Sequence, residues 1–261
     1  MVAVMPSEPF QIDTGTALFV QREDGVTLYI NGVPSSQWSI GDPAELEFEY
    51  MRWMLAALRA IFPPDEPLRA LHLGAAACAL PRAMAHLWPR SRHLAVEIDA
   101  ALAAAVRRHL DLPRAPVLRL RVADAVAALK ARPPGSHHVI IRDAFDAQVR
   151  PPAGLTDSDG LAAAAAALRP DGLYLANCVD LPLAPRARLD LRALAAHFSW
   201  VGLATEPPIL RGRHRGNVVL LARHEPPGER AEAALERALR SEGFPAALLP
   251  DGQARRWAGL G

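Results

Sequence analysis

The sequence predicts an α/β protein: a Rossmann-like, seven-stranded, mainly parallel sheet with an antiparallel last strand, preceded by a small N-terminal β-hairpin module. Three observations carry that prediction. From residue 68 onward, short apolar runs alternate with helix-patterned segments, the rhythm of a parallel sheet covered on both faces. The stretch Leu68 to Asp99 reads as a strand, then Gly74, a small-residue turn (Ala75, Ala76, Ala77, Cys78), a helix, and a second strand closed by Glu97 and Asp99. Glycine suits a place where a strand hands its backbone to a helix N-terminus close to a ligand, although the turn reads GAAAC and not GxGxxG. Finally, only the ten residues Glu206 to Arg215 separate the last two strands, with two prolines and no helical pattern. Parallel neighbours need a longer crossover, so the last strand is expected to run antiparallel. That favours a methyltransferase-like sheet, with a dinucleotide-binding enzyme as the alternative architecture.

Taken in order, residues 10–34 form the β module. Ala17 to Val20 and Val26 to Ile30 flank the turn signal Asp24-Gly25, and Asn31-Gly32 supplies a second turn. Ser35 to Pro43, containing Gln37 and Trp38, reads as a connector, which divides the chain into residues 1–43 and 44–261. A helix is expected from Ala44 to Phe62, where Leu46, Tyr50, Trp53, Met54, Ala57, Leu58 and Ile61 recur at helical spacing until Pro63-Pro64 ends it. Strands are expected at 68–73, 93–97, 117–121, 137–142, 172–177, 199–205 and 216–223, with a last helix at 229–241.

Composition narrows the function. Lys and Arg total 29 against 28 Asp and Glu, and arginine is scattered without a long basic block, which argues against nucleic acid as the main partner. The two cysteines fit neither a disulfide scaffold nor a metal site and are expected to stay reduced in a cytoplasmic protein. The start MVAVMPSEPF lacks the pattern of a secretion signal, and the apolar run Leu161 to Leu168 is too short to span a bilayer. Neither HExxH nor GxSxG is present, so neither a zinc hydrolase nor an elbow-type serine hydrolase is indicated, and no metal is expected.

In an open α/β sheet the ligand crevice lies beyond the carboxyl ends of the strands. Those ends carry Gly74, Glu97, Asp124, Asp143 with Asp146, and Asn177 with Asp180. Glu97 is placed to accept hydrogen bonds from ribose hydroxyls. Asp99 and Asp124 can also be read as helix caps, and Asp143 and Asp146, three residues apart, as an amine-binding pair or as solvated loop residues. His72 reads as a core histidine inside the first strand of the sheet.

Across about residues 15–225 the chain resembles the spermidine/spermine synthase family, within the S-adenosylmethionine-dependent methyltransferase-like folds. The resemblance rests on LHLGAAACALPR, AVEIDAAL, VADAVAAL, VIIRDAFDA and GLYLANCVD, in the family's order and spacing, with an early helix bearing Tyr50. It implies that Gly74 and Glu97 hold the nucleoside of decarboxylated S-adenosylmethionine, that Asp124 and Ala125 contact adenine, and that Gln37 belongs to the same cofactor site. It implies Asp143 as the catalytic carboxylate, with Asp146 and Tyr50 completing the hydrogen bonds of a small-molecule amine, and a homodimer. The family's GGGxG turn is GAAAC here, and its YHE is Tyr50-Met51-Arg52. Two readings stand beside aminopropyl transfer: a methyltransferase using intact S-adenosylmethionine, which Arg52 or Arg82 near the amino-acid tail would favour, and a catalytically degenerate cofactor-binding homologue.

Overall fold

The computed structural model describes residues 5–146 and 148–261. The first residues of the amino-terminal segment read above for a secretion signal lie outside them. The chain opens with four antiparallel strands, β1 (Phe10–Ile12), β2 (Gly15–Gln21), β3 (Gly25–Ile30) and β4 (Val33–Ser39). The module is therefore a four-stranded sheet and not a hairpin, and the expected connector at Ser35–Pro43 is mostly strand β4. The second turn signal explains it: Asn31 (φ 51°) and Gly32 (φ 77°) form a two-residue turn with both residues left-handed, the geometry that sends a twisted strand straight back.

Helix α1 runs Glu49–Ile61, starting five residues later than its expected start at Ala44. Strands and helices then alternate through β5 (Arg69–Leu73), α2 (Ala79–Leu87), β6 (Arg92–Glu97), α3 (Ala100–His109), β7 (Leu118–Val122), α4 (Ala125–Lys130) and β8 (His137–Arg142). After α5 (Ser158–Ala167) come β9 (Leu168–Asp180), α6 (Pro185–Ala195), β10 (Trp200–Thr205), the single turn α7 (Pro207–Leu210), β11 (Gly216–Arg223) and α8 (Glu229–Ser241). The chain finishes with β12 (Ala247–Leu249) and α9 (Asp251–Ala258). Their brevity hid these last two from periodicity, and α7 is a single turn in the connection read as non-helical.

The main sheet has eight strands in the order β12-β10-β11-β9-β8-β5-β6-β7. Strands β9, β8, β5, β6 and β7 pair in parallel, whereas β11 is antiparallel to both β9 and β10. The short connection after β10 has the consequence drawn from its length. The added β12 pairs antiparallel to β10 at the edge.

Each face of the sheet has its own core. On one, Trp53, Met54 and Leu58 of α1 pack with Ala83 and Met84 of α2, Leu235 and Leu239 of α8, and Phe19, Leu28 and Trp38 of the N-terminal sheet. On the other, Leu129, Leu161, Leu191 and Ala254 come from α4, α5, α6 and α9. Strand β5 alternates between them, with Ala70 in the first core and Leu71 and Leu73 in the second.

Polar contacts lock the N-terminal sheet against the crevice. Asp99 caps α3 by accepting from Leu102 N at 2.7 Å, while its other oxygen accepts from Thr14 N and Oγ1 at 2.7 and 2.8 Å. Trp38 Nε1 donates to Ala77 O at 2.6 Å, and the Arg82 guanidinium lies 4.3 Å over the Trp38 ring while donating to Ser39 O. Hence β4 grips the turn that follows β5. Among the described residues no helix is long and apolar enough to cross a membrane.

Candidate active site

The turn after β5 is built by constraint. Gly74 has φ +95°, and a Cβ placed there would lie 2.3 Å from the backbone oxygen of Asp143. The room that the sequence reading reserved for a ligand is filled by the end of the neighbouring strand β8. Glycine is required because two parallel strand ends meet there. Ala76 (φ 43°) and Cys78 (φ 59°) are also left-handed, which curls the turn so that Ala75 N and Ala76 N reach a Glu97 carboxylate oxygen at 3.4 and 3.0 Å. The other Glu97 oxygen accepts from Asp99 N at 3.1 Å. Burial raises the Glu97 carboxyl above its ordinary range, and these three amides pull it back. Asp124 caps α4 by accepting from Ala127 N at 2.8 Å, with Ala125 as the first helical residue. Cys78 is buried, which pushes its thiol up to about 12 and leaves no thiolate to act as nucleophile.

Next to this turn lies a carboxylate held by side chains alone. Asp143 follows β8, with its amide tied to Leu73 O at 2.8 Å. Its Oδ2 accepts from the Tyr50 hydroxyl at 2.9 Å and its Oδ1 from Asn177 Nδ2 at 3.0 Å. Tyr50 comes from the first turn of α1 and Asn177 from β9, so three elements converge on one carboxylate. Asn177 is 2% exposed, and its Oδ1 is buried without a partner. Such an acceptor beside a carboxylate suits a cationic N–H donor. Burial raises the Asp143 carboxyl above its usual range, opposed by the Asn177 and Tyr50 hydrogen bonds and by the charge of Arg142. Burial, and the negative charge of Asp143, likewise push the Tyr50 hydroxyl well up. Glu49, one residue earlier, accepts from Asn217 Nδ2 at 2.7 Å.

On the opposite face of the sheet Arg142 is 2% exposed and pairs with Asp190 at 2.6 Å, with Cys178 Sγ at 3.2 Å. A buried cation thus sits directly behind Asp143. Periodicity did not assign Arg142, Glu49, Asn217 or Asp190 to the site, and Asn177 entered only as a strand-end residue. The one legible signal was a cation closing the apolar run of β8.

The remaining expected residues stand apart from this cluster. Asp146 is exposed, and its Oδ1 accepts from Gln148 N and Arg150 N at 2.8 and 2.9 Å, ordering the loop. It does not join Tyr50, Asp143 and Asn177. Gln37 lies on β4 beside Trp38, with its Oε1 buried and unpartnered. Arg52 donates to Leu46 O and faces the Phe244 ring at 5.6 Å, so both it and Arg82 are engaged away from Asp143. His72 is a core residue as expected, 3.2 Å from the buried His93 ring nitrogen. Among the described residues no group of three or more His, Cys, Asp or Glu is arranged to hold a metal ion.

The sheet order, five parallel strands with an antiparallel β11 inserted between β9 and β10, defines a protein of the methyltransferase-like fold. No protein-family profile and no curated protein matches the chain. Among solved structures it is similar to a probable spermidine synthase from Corynebacterium glutamicum, at 33% identity over 98% of this chain and 94% of that one, with a TM-score of 0.90. The spermidine synthase from Thermotoga maritima shares the fold at 18% identity, with 97% and 87% covered and a TM-score of 0.64. Human methyltransferase-like protein 13, in complex with SAH, shares it at 24% identity, with 75% and 94% covered and a TM-score of 0.59. This chain belongs to the spermidine synthase family.

Proposed function

We propose that this protein transfers the aminopropyl group of decarboxylated S-adenosylmethionine to a primary amine and releases methylthioadenosine. The observation that carries this reading is Asp143, held between Tyr50 and Asn177 with the free Asn177 Oδ1 at its side. An anion, and an unfilled acceptor on the side chain that holds it, suit an ammonium group. Asp143 takes the proton that the attacking nitrogen must lose, and Tyr50 and Asn177 keep the carboxylate oriented. Ordinarily a carboxylate is a weak base toward an alkylammonium, and the burial that raises Asp143 narrows that gap. Asp146, whose Oδ1 is spent on its loop, offers Oδ2 to the far end of a diamine.

On the other side, Gly74, Glu97, Asp124, Ala125 and Gln37 are assigned to the nucleoside. The unpartnered Gln37 Oε1 and the remaining lone pairs of Glu97 fit the hydroxyl and amino donors of an adenosine. When bound, the co-substrate supplies an electrophilic methylene beside a sulfonium that leaves as a neutral thioether, so no acid has to assist departure. Intact S-adenosylmethionine would add a carboxylate. Arg52 and Arg82 are engaged elsewhere, while Glu49 and Asp143 make this side of the crevice acidic, which favours the decarboxylated form.

A homodimer belongs to the same proposal, on family grounds. Tyr50, Trp53, Met54 and Leu58 of α1 are not available for its interface, because they are buried within the chain.

Methylthioadenosine release from decarboxylated S-adenosylmethionine and putrescine tests the reading. The wild type should turn over, and Asp143→Asn should be slower by about 100-fold or more. Methyl transfer from intact S-adenosylmethionine without methylthioadenosine release would move the protein to the methyltransferases. No product with any diamine would leave a binding homologue.

A further inference from the structure

The strands that end at the crevice begin, at the other end of the sheet, in a cluster of positive charge. Arg92 opens β6, Arg69 opens β5 and Arg169 is second in β9, while His138, second in β8, lies among them with its Nδ1 accepting from Arg69 N at 3.0 Å; these four strands are adjacent in the sheet. Arg69 and Arg92 are register partners, so two guanidinium side chains stand side by side on strands about 4.8 Å apart. Like charges in that position are destabilising unless something neutralises them. Arg90, in the turn before β6, adds a further positive charge. These residues line a cleft of about 460 Å³, a volume within the range of small-molecule sites.

The neighbouring acids do not neutralise it. Asp171 bonds Arg169 at 3.1 Å, and Glu66 is felt at His138, but among the described residues Arg69, Arg90 and Arg92 have no carboxylate partner. Burial and the charges of Arg169 and Arg69 lower the His138 basicity, against the opposing pull of Asp171 and Glu66. With a formal net charge of only +1 over 261 residues, this concentration is local and not a property of the whole surface.

We propose that this cleft is a second binding site, remote from the crevice, for a small phosphate-bearing anion held by Arg69, Arg90, Arg92 and Arg169. Guanidinium groups in a concave cluster match phosphoryl oxygens through paired charge-assisted hydrogen bonds. A compact cleft fits a di- or triphosphate. A nucleic-acid strand would need a basic track, and the sequence holds no long basic block to supply one.

The test is a calorimetric titration of the full chain with inorganic tripolyphosphate, ATP, adenosine and a single-stranded oligonucleotide, in phosphate-free buffer at physiological ionic strength. The comparison protein is the double variant Arg69→Ala with Arg92→Ala. Both residues are exposed, so the variant should keep the wild-type melting temperature or gain slightly from relief of the repulsion. We expect saturable one-to-one binding of tripolyphosphate, or of ATP with the crevice saturated by methylthioadenosine, weakened at least about tenfold in the double variant, and adenosine binding at the crevice equal in the two proteins. Tighter binding of ATP than of tripolyphosphate would identify a nucleotide as the ligand, and equal binding an inorganic phosphate. Absence of saturable binding to both, binding undiminished in the variant, or preferential binding of the oligonucleotide would each overturn the proposal.

Discussion

The two halves of the crevice are built in opposite ways. In the half proposed for the nucleoside the two carboxylates are already engaged by the protein's own backbone: Glu97 accepts three amides, and Asp124 caps α4. In the half proposed for the amine, the Asp143 carboxylate is held, among the described residues, by the side chains of Tyr50 and Asn177, and the Oδ1 of that Asn177 is buried and unpaired. Backbone partners make the first half a rigid frame whose shape is set when the sheet folds. Side-chain partners make the second half adjustable in charge and in proton affinity, which a proton-transferring group requires. Substitutions should therefore act on stability in the first half and on chemistry in the second.

The largest expected effect breaks the frame. Gly74→Ala puts a Cβ 2.3 Å from Asp143 O at a positive φ, and should lower unfolding free energy by about 3 kcal/mol or more in urea titrations. Gly41→Ala is the control. A Cβ there meets nothing within 4 Å, and we expect a change within about 0.5 kcal/mol. Equal effects at the two positions would remove the claim that the turn is held by the strand behind it.

A smaller effect sharpens the other half. Tyr50→Phe removes one of the hydrogen bonds that oppose the burial-driven rise of the Asp143 carboxyl. Since Asp143 must be ionised to accept a proton, turnover is lost as pH falls through its raised value. Removing the hydroxyl moves that acid limb to still higher pH, with turnover on the plateau reduced about fivefold to tenfold. A pH profile with an unmoved acid limb would show that the hydroxyl does not support the carboxylate. The smallest effect belongs to Asp146→Asn. Asn keeps the oxygen that orders the loop and loses only the charge, so KM for a diamine should rise about threefold to fivefold with kcat unchanged.

Much of this contrast was legible in the sequence, and the exceptions have physical causes. The parallel strands were readable because strands buried on both faces are continuous apolar runs, and the reversal at β11 followed from a connection too short for a crossover. Strand β4 was missed because Ser35, Ser36 and Gln37 do not alternate as a half-buried strand should. Gly74 was found for an incomplete reason, since a sequence cannot show that β8 ends against it. Asp143 is legible from the segment VIIRDAFDA that carries the family resemblance. Its partner Asn177, the buried Arg142 behind it and the Glu49–Asn217 contact depend on side chains brought together from distant elements. The residues alone left Asp143 and Asp146 open as an amine-binding pair or a solvated loop; Asp143 is half-buried in the cluster and Asp146 orders an exposed loop.

The separation of the two halves is tested most directly by calorimetric titration of methylthioadenosine into the wild-type protein and Asp143→Asn. This product carries the nucleoside without the aminopropyl group, so it should be held by the frame alone. We expect both proteins to bind it with dissociation constants within about twofold of each other, alongside the turnover loss of about 100-fold. Loss of methylthioadenosine binding in the variant by about tenfold or more, or an absence of saturable binding to the wild type, would contradict the assignment of Asp143 to the amine and of the turn to the nucleoside.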